Sequence, residues 1–201
     1  QQYGTNFLSA MPTNLYGPND NYDLEKSHVL PALIRKMLLG KYLSENDMTK
    51  IRKDFSKRNV EGVDGTYSDN VILKVLDKYG INRDSETTTV TLWGSGSPKR
   101  EFLYVDDMAD ASVFVFMNYD APDKTPSHIN IGCGEDLEIR ELALMVKKIT
   151  GFDGEIVWDK SKPDGTPRKL LDVTRLKSIG WEPKVTLEDG IQRVVYNYLK
   201  Y

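Results

Sequence analysis

The sequence predicts an α/β architecture with at least some parallel strand pairing, on three observations. Short segments with the look of buried strands alternate with segments whose apolar residues recur at helical spacing. Glycines, prolines and capping residues fall at the junctions between them. The 201 residues, 39% hydrophobic and 28% charged, carry enough apolar side chain for one compact core or two small ones, as a soluble globular chain does.

In chain order, residues 7–11 (Phe7-Leu8-Ser9-Ala10-Met11) read as a short buried strand, closed at 12–18 where Gly17 and two prolines break regular structure. Residues 28–39 show helical spacing, with Pro31 suited to a first turn and Gly40 the expected stop. Residues 41–89, rich in Lys, Arg, Asp, Asn and Ser, hold one amphipathic stretch at 68–79 and read as a partly helical insertion that suits a surface lobe. A strand at 90–93 and a turn at 94–98 follow. Residues 100–105 look extended, and Asp106 can cap a helix running through Ala109, Val113 and Phe116. A strand at 128–132, a helix at 137–150 ended by Gly151, a strand at 155–158 and a loop at 162–169 come next. A short helix near 174–179 and an amphipathic helix from Leu187 to about Leu199 complete the series.

Composition narrows the function classes. With 27 Lys+Arg against 30 Asp+Glu and a formal net charge of −3, no positive excess points to nucleic acid or an anionic membrane as a partner. Cys133 is the single cysteine, so neither an intrachain disulfide nor a Cys-based zinc site is available; no metal centre is expected, and a reducing compartment, the cytoplasm, is. No apolar run approaches the roughly 18 residues of a membrane span. The first residues do not resemble a signal peptide, and the apolar run at 7–11 arrives almost at once, as in a chain that begins inside a fold.

Several residues suggest chemistry singly. Tyr22 and Lys26 have the spacing in which a lysine one helical turn away lowers a tyrosine pKa, but they sit in a Gly/Pro/Asn-rich loop, and chance explains the pair. Gly132-Cys133-Gly134 faintly resembles a phosphate-cradling turn, yet lacks the third glycine and downstream acid of a dinucleotide site; a tight strand-to-helix turn is the plainer reading. His28, beside a Gly/Pro-rich loop, is either a proton-transfer group or a structural histidine. Arg100 after the flexible turn can reach a phosphate bidentately, or be a surface arginine paired with Glu101 or a nearby aspartate. Arg168 and Lys169, with Asp164 in front, form a loop that closes over a charged ligand or is simply solvated.

Their order along the chain is more telling. Asn14-Leu15-Tyr16-Gly17-Pro18, then Trp93-Gly94-Ser95-Gly96 with Arg100-Glu101-Phe102-Leu103-Tyr104-Val105-Asp106-Asp107, then His128-Ile129-Asn130-Ile131-Gly132, resembles the C-terminal half of extended short-chain dehydrogenase/reductases that act on nucleotide sugars. Three stretches, 11–18, 27–33 and Lys162-Pro163-Asp164-Gly165-Thr166-Pro167-Arg168-Lys169-Leu170-Leu171-Asp172, resemble the members that convert GDP-4-keto-6-deoxy-D-mannose by 3,5-epimerisation and NADPH-dependent 4-keto reduction. The resemblance covers nearly all of the chain except 41–89.

The resemblance implies the C-terminal part of an NAD(P)-binding Rossmann-like fold over residues 1–201. Residues 1–18 would be the last Rossmann strand and its loop, joined to the small mixed sheet and helices of a substrate-binding domain. It implies that Pro12, Thr13, Asn14 and Leu15 lie against the nicotinamide end of NADP, with His28 near the cofactor as the acid/base partner of epimerisation. Trp93 would contact the GDP moiety, Arg100 its pyrophosphate, and Asp164 and Lys169 the nucleotide sugar. Lys36 stands where the family often has arginine, which implies a weaker or water-mediated substrate contact. The whole protein would be a homodimer acting on a GDP-sugar. A Gly-rich NADP loop and the Ser/Tyr-x-x-x-Lys machinery would precede Gln1, so these 201 residues alone are expected neither to bind NADP tightly nor to turn over substrate. Two alternatives stay open: another nucleotide-sugar epimerase or dehydratase of the same family, such as a UDP-sugar 4-epimerase, and a non-catalytic nucleotide-sugar-binding domain.

Overall fold

The structure, a computed structural model, describes residues 6–120 and 128–200; the first five residues of the expected 1–18 strand and loop lie outside the described residues. The elements in chain order are β1 (Ser9–Pro12), β2 (Asn14–Tyr16), α1 (Val29–Ser44), α2 (Met48–Lys57), α3 (Asp69–Lys78), β3 (Ile81–Arg83), β4 (Thr88–Trp93), β5 (Lys99–Arg100) and β6 (Phe102–Tyr104). They continue as α4 (Val105–Asn118), β7 (His128–Ile131), β8 (Leu137–Glu138), α5 (Ile139–Thr150), β9 (Glu155–Asp159), β10 (Arg168–Lys169), α6 (Thr174–Ser178) and α7 (Leu187–Lys200). The chain divides into two compact units, the first comprising Gln1–Pro18, Lys99–Glu138 and Thr166–Tyr201, the second Asn19–Pro98 and Ile139–Gly165.

In the first unit β1 runs parallel to β7 from Ser9↔His128 to Pro12↔Ile131, and β2 runs parallel to β6. A three-stranded ribbon has β5 at its centre, parallel to β10 and antiparallel to β8. Leu103, Ala111, Val115, Ile129, Ile131, Leu176 and Trp181 form the core. Asp107, 3% exposed, accepts the backbone N–H groups of Lys184 and Val185 at 3.2 and 3.0 Å, and Asp110 accepts Trp181 Nε1 at 2.9 Å. These bonds fix the segment that enters α7.

Three sequence expectations change here. The strand expected to be buried is exposed at every β1 residue, because among the described residues only β7 pairs with it. The extended stretch at 100–105 is two short strands interrupted at Glu101. Helix α4 begins at Val105 with Tyr104 as its uncapped N-cap residue, so Asp106 and Asp107 act within the first turn, where acids favour the helix dipole, instead of capping it.

In the second unit β4 is antiparallel to β3 and parallel to β9, in register from Thr89↔Glu155 to Trp93↔Asp159. Helix α1 buries Leu30, Leu33, Ile34, Met37, Leu38 and Leu39. Gly40 does not stop it. A β-carbon there would stand 2.9 Å from Val90 Cγ2 and 3.0 Å from Phe152 Cε2, so glycine serves close packing inside the helix. Residues 41–89, expected as a partly helical insertion, hold α2 and α3 and bury Ile51, Phe55, Ile72, Leu76 and Ile81, each at most 1% exposed. They are secured by Arg35, fully buried, whose Nε and Nη2 bond Asp54 Oδ1 at 3.0 and 2.8 Å while Nη1 donates to the Tyr22 carbonyl at 3.0 Å. The expected helix at 137–150 starts at Ile139, its first two residues being β8, and does end before Gly151 at φ 70°. Among the described residues no helix is long and apolar enough to cross a membrane.

Candidate functional site

The ribbon in the first unit sets Lys99 opposite Arg168 and Arg100 opposite Lys169. Side chains alternate along a strand, so the first pair occupies one face and the second pair the other. Like charges directly opposite each other repel. On the first face Asp136 compensates through its ion pair with Arg168. On the second, the Arg100 guanidinium donates to the Thr166 carbonyl at 2.6 Å, and neither Arg100 nor Lys169 meets a carboxylate among the described residues. Two cations are thus held side by side with their charge available to an anion.

Glu101, between these strands, is fully buried. Its Oε1 accepts the Gly134 N–H at 2.7 Å and its Oε2 the Leu171 N–H at 3.1 Å. Its carbonyl accepts Asn14 Nδ2 at 2.7 Å and the Thr13 hydroxyl at 3.4 Å. One residue therefore ties the 13–14 loop, the 132–134 turn and the segment after β10. In the Gly-Cys-Gly turn the Gly134 N–H is taken by this internal side chain, and a β-carbon on Gly132 would lie 2.3 Å from Oε1. The expected alternative, Arg100 paired with Glu101, is not formed. Cys133 Sγ contacts the Glu135 carbonyl at 3.3 Å, and burial pushes its thiol pKa up. Pro12, Asn14 and Leu15 are exposed at the end of β1 and in β2, while Thr13 is half-buried with its N–H on the Ile131 carbonyl at 3.0 Å.

The remaining expected site residues lie in the second unit. His28 is exposed at the N-cap position of α1, its side chain making no cap bond and its carbonyl accepting the Ala32 N–H at 3.1 Å. Two turns on, Lys36 donates to the Thr91 carbonyl at 3.3 Å, and burial lowers its pKa to about 8. Trp93, 74% exposed, ends β4, and the Lys162 ammonium lies 5.6 Å from its ring centroid. Asp164 accepts the Ser95 N–H at 2.8 Å on Oδ1 and the Ser95 hydroxyl at 2.7 Å on Oδ2. Those bonds hold its carboxyl below the usual range, and they make it a brace of the 94–97 turn before anything else. Tyr22 is buried and its pKa is pushed up to about 12 by that burial, the opposite of what a Tyr-x-x-x-Lys acid needs.

The expected residues thus form two sets: 12–15 with Arg100 and Lys169 in one unit, and His28, Lys36, Trp93 and Asp164 in the other. Two residues escaped sequence reasoning. Glu101 appeared only as a partner for Arg100, and its place before the apolar run 102–104 was the available signal. Lys162 was one lysine in a loop, with no signal of its contact to Trp93.

Strand–helix alternation around parallel pairs defines an α/β protein, and its match to a dehydratase family and to solved reductases makes it Rossmann-like. The chain belongs to the NAD dependent epimerase/dehydratase family, which matches residues 1–58 and 55–132. It is 43% identical over 199 residues to GDP-L-fucose synthase 1 of Arabidopsis thaliana, an alignment that covers 99% of this chain and 47% of that protein. A solved GDP-mannoheptose C4 reductase from Campylobacter jejuni with NADP bound is 39% identical with a TM-score of 0.82, over 98% of this chain and 54% of that one. A solved GDP-L-fucose synthetase from Naegleria fowleri is 25% identical with a TM-score of 0.65, over 96% of this chain and 46% of that one. The chain spans about half the length of the curated relatives it matches.

Proposed function

We propose that these residues are the substrate-side, C-terminal portion of an extended short-chain reductase, cytoplasmic and homodimeric as a whole protein. Its reaction would be NADPH-dependent conversion of GDP-4-keto-6-deoxy-D-mannose to GDP-L-fucose, by 3,5-epimerisation and then 4-keto reduction. The observation that carries this reading is the Arg100/Lys169 pair, two cations in register on adjacent strands that meet no carboxylate among the described residues, which suits the pyrophosphate of a nucleotide sugar. The 43% identity to a GDP-L-fucose synthase supports the choice of reaction.

Removing a proton next to a keto group needs a base on one face of the sugar and an acid on the other. His28, exposed at a helix start, is assigned one of these roles. Lys36 and Lys169 add positive charge toward the anionic substrate, and Asp164 acts through the turn that carries Trp93. Bound NADPH supplies the hydride that reduces the keto group. The chain fits one end of that cofactor: Leu15, apolar and 36% exposed, follows Pro12 and Thr13 at a strand end and suits contact with a nicotinamide ring. The fit stops there, since the 201 residues contain no three-glycine turn for the cofactor pyrophosphate.

A second reading, 4-keto reduction of a GDP-heptose without epimerisation, is favoured by the TM-score of 0.82 to the heptose reductase against 0.65 to the fucose synthetase. Both readings assign the pyrophosphate to Arg100 and Lys169. Lys169→Met in the intact protein is expected to raise KM for the GDP-sugar about tenfold, the value of one lost charge-assisted bond of roughly 1.5 kcal/mol, with little change in KM for NADPH. An unchanged KM for the GDP-sugar would remove the basis of the assignment.

A further inference from the structure

Trp93 ends β4, and Lys162 lies in the turn just beyond the end of β9. The carboxyl ends of β4 and β9 meet in register at Trp93↔Asp159, and open α/β sheets bind their ligands outside the carboxyl ends of parallel strands. The chain turns back after β9, the Lys162 N–H bonding the Asp159 carbonyl at 3.2 Å and Asp159 Oδ1 accepting the Ser161 N–H at 3.0 Å. That turn carries the lysine over the indole.

The segment after Trp93 is equally fixed. Gly94 donates to the Asp159 carbonyl at 2.9 Å, Asp164 holds Ser95, and the Arg140 N–H bonds the Gly96 carbonyl at 2.9 Å. Gly96, at φ 75°, lies so close to the Trp158 ring that a β-carbon would be 2.7 Å from it. The Trp93 ring is 74% exposed, and these bonds fix the strand end that presents it.

We propose that Lys162, beside the Trp93 ring where the resemblance places the GDP moiety, selects guanine. This deepens, and rests on, the reading of the chain as part of a GDP-sugar enzyme. A base stacked on an aromatic side chain gains about 1–3 kcal/mol, more than the roughly 0.5–1 kcal/mol of an exposed cation–π contact, so the base displaces the ammonium from the ring. On its flexible four-carbon stem the ammonium then reaches the base edge. Guanine presents two acceptors there, O6 and N7, whereas adenine presents N7 beside an N6 amino donor that opposes a lysine. The stacking is indifferent to which purine sits on Trp93; the lysine is not.

Calorimetric titration of the intact protein with GDP and with ADP tests this. The wild type is expected to bind GDP about tenfold more tightly than ADP. Lys162→Met, which keeps the apolar stem, is expected to weaken GDP about tenfold and leave ADP within twofold, and Lys162→Arg to restore the preference. Equal weakening of GDP and ADP by Lys162→Met would make the lysine a general phosphate contact and overturn the proposal, as would an unchanged GDP affinity. A wild type that binds GDP-sugar but shows no preference for GDP over ADP would overturn the nucleobase assignment while leaving the enzyme reading in place. A wild type that binds neither nucleotide would overturn both.

Discussion

Replacing Glu101 with alanine removes the one acceptor that the Gly134 and Leu171 N–H groups have among the described residues. A buried donor left without its partner costs about 1–3 kcal/mol, so two such losses amount to roughly 2–6 kcal/mol. Against this, the wild type keeps a fully buried carboxylate away from water, and the substitution relieves that penalty. The net expectation is the lower part of the range, about 2–4 kcal/mol of destabilisation. Trp181, 3% exposed in the same unit, reports unfolding through its fluorescence in a background where Trp93 and Trp158 are phenylalanine. With an m-value of about 2 kcal/mol/M in urea the midpoint falls by roughly 1–2 M. Glu101→Gln, which keeps one acceptor and sets an amide N–H₂ against the other donor, is expected to fall between alanine and wild type. A midpoint within about 0.2 M of wild type for both variants would mean that the three segments hold together without this carboxylate, and the tie described above would be wrong.

Two further outcomes follow from buried charge. Arg35→Met leaves Asp54 buried without its guanidinium and is expected to cost about 3–5 kcal/mol by the same urea assay, whereas the double change Arg35→Met with Asp54→Leu recovers a large part of it. Lys36 has a folded pKa of about 8 against an ordinary 10.5, so between those values the unfolded chain holds more protons and stability rises with pH. Below about pH 8 the penalty is present in full, and the gain, up to about 3 kcal/mol, is complete only above 10.5. Lys36→Met is expected to abolish that rise in a pH series of unfolding curves; an identical slope in the variant would assign it elsewhere.

The order of strands and helices was readable because local pattern and tertiary environment agree at most positions. Helix α1 declares itself through Leu30, Leu33, Ile34, Met37 and Leu38, whose spacing places them on the buried side. Gly40 misled because its reason is tertiary: Val90 and Phe152 approach from 50 and more residues away. The same holds for residues 41–89, whose high polar content hid the fully buried Ile51 and Phe55, whereas Ile72 and Leu76 showed in the amphipathic stretch at 68–79. Among candidate site residues, Trp93, Arg100, Lys169 and His28 were legible as candidates because residues of those types are informative singly or through resemblance. Glu101 was not, since its donors lie 33 and 70 residues downstream, and no local pattern marks a carboxylate that bonds backbone at that range. The bond of Asp164 to Ser95, 69 residues upstream, was equally out of reach of any local pattern.

The choice between epimerising and purely reducing chemistry comes down to proton exchange at the carbons flanking the keto group. Incubation of the intact protein with GDP-4-keto-6-deoxy-D-mannose in D₂O, without NADPH, isolates that step. With His28 as an epimerisation acid/base, mass spectrometry finds deuterium at C3 and C5 with the wild type and little or none with His28→Ala. Exchange that survives undiminished in His28→Ala, or a wild type that reduces its GDP-sugar when NADPH is supplied yet never exchanges these protons, would contradict the epimerase role.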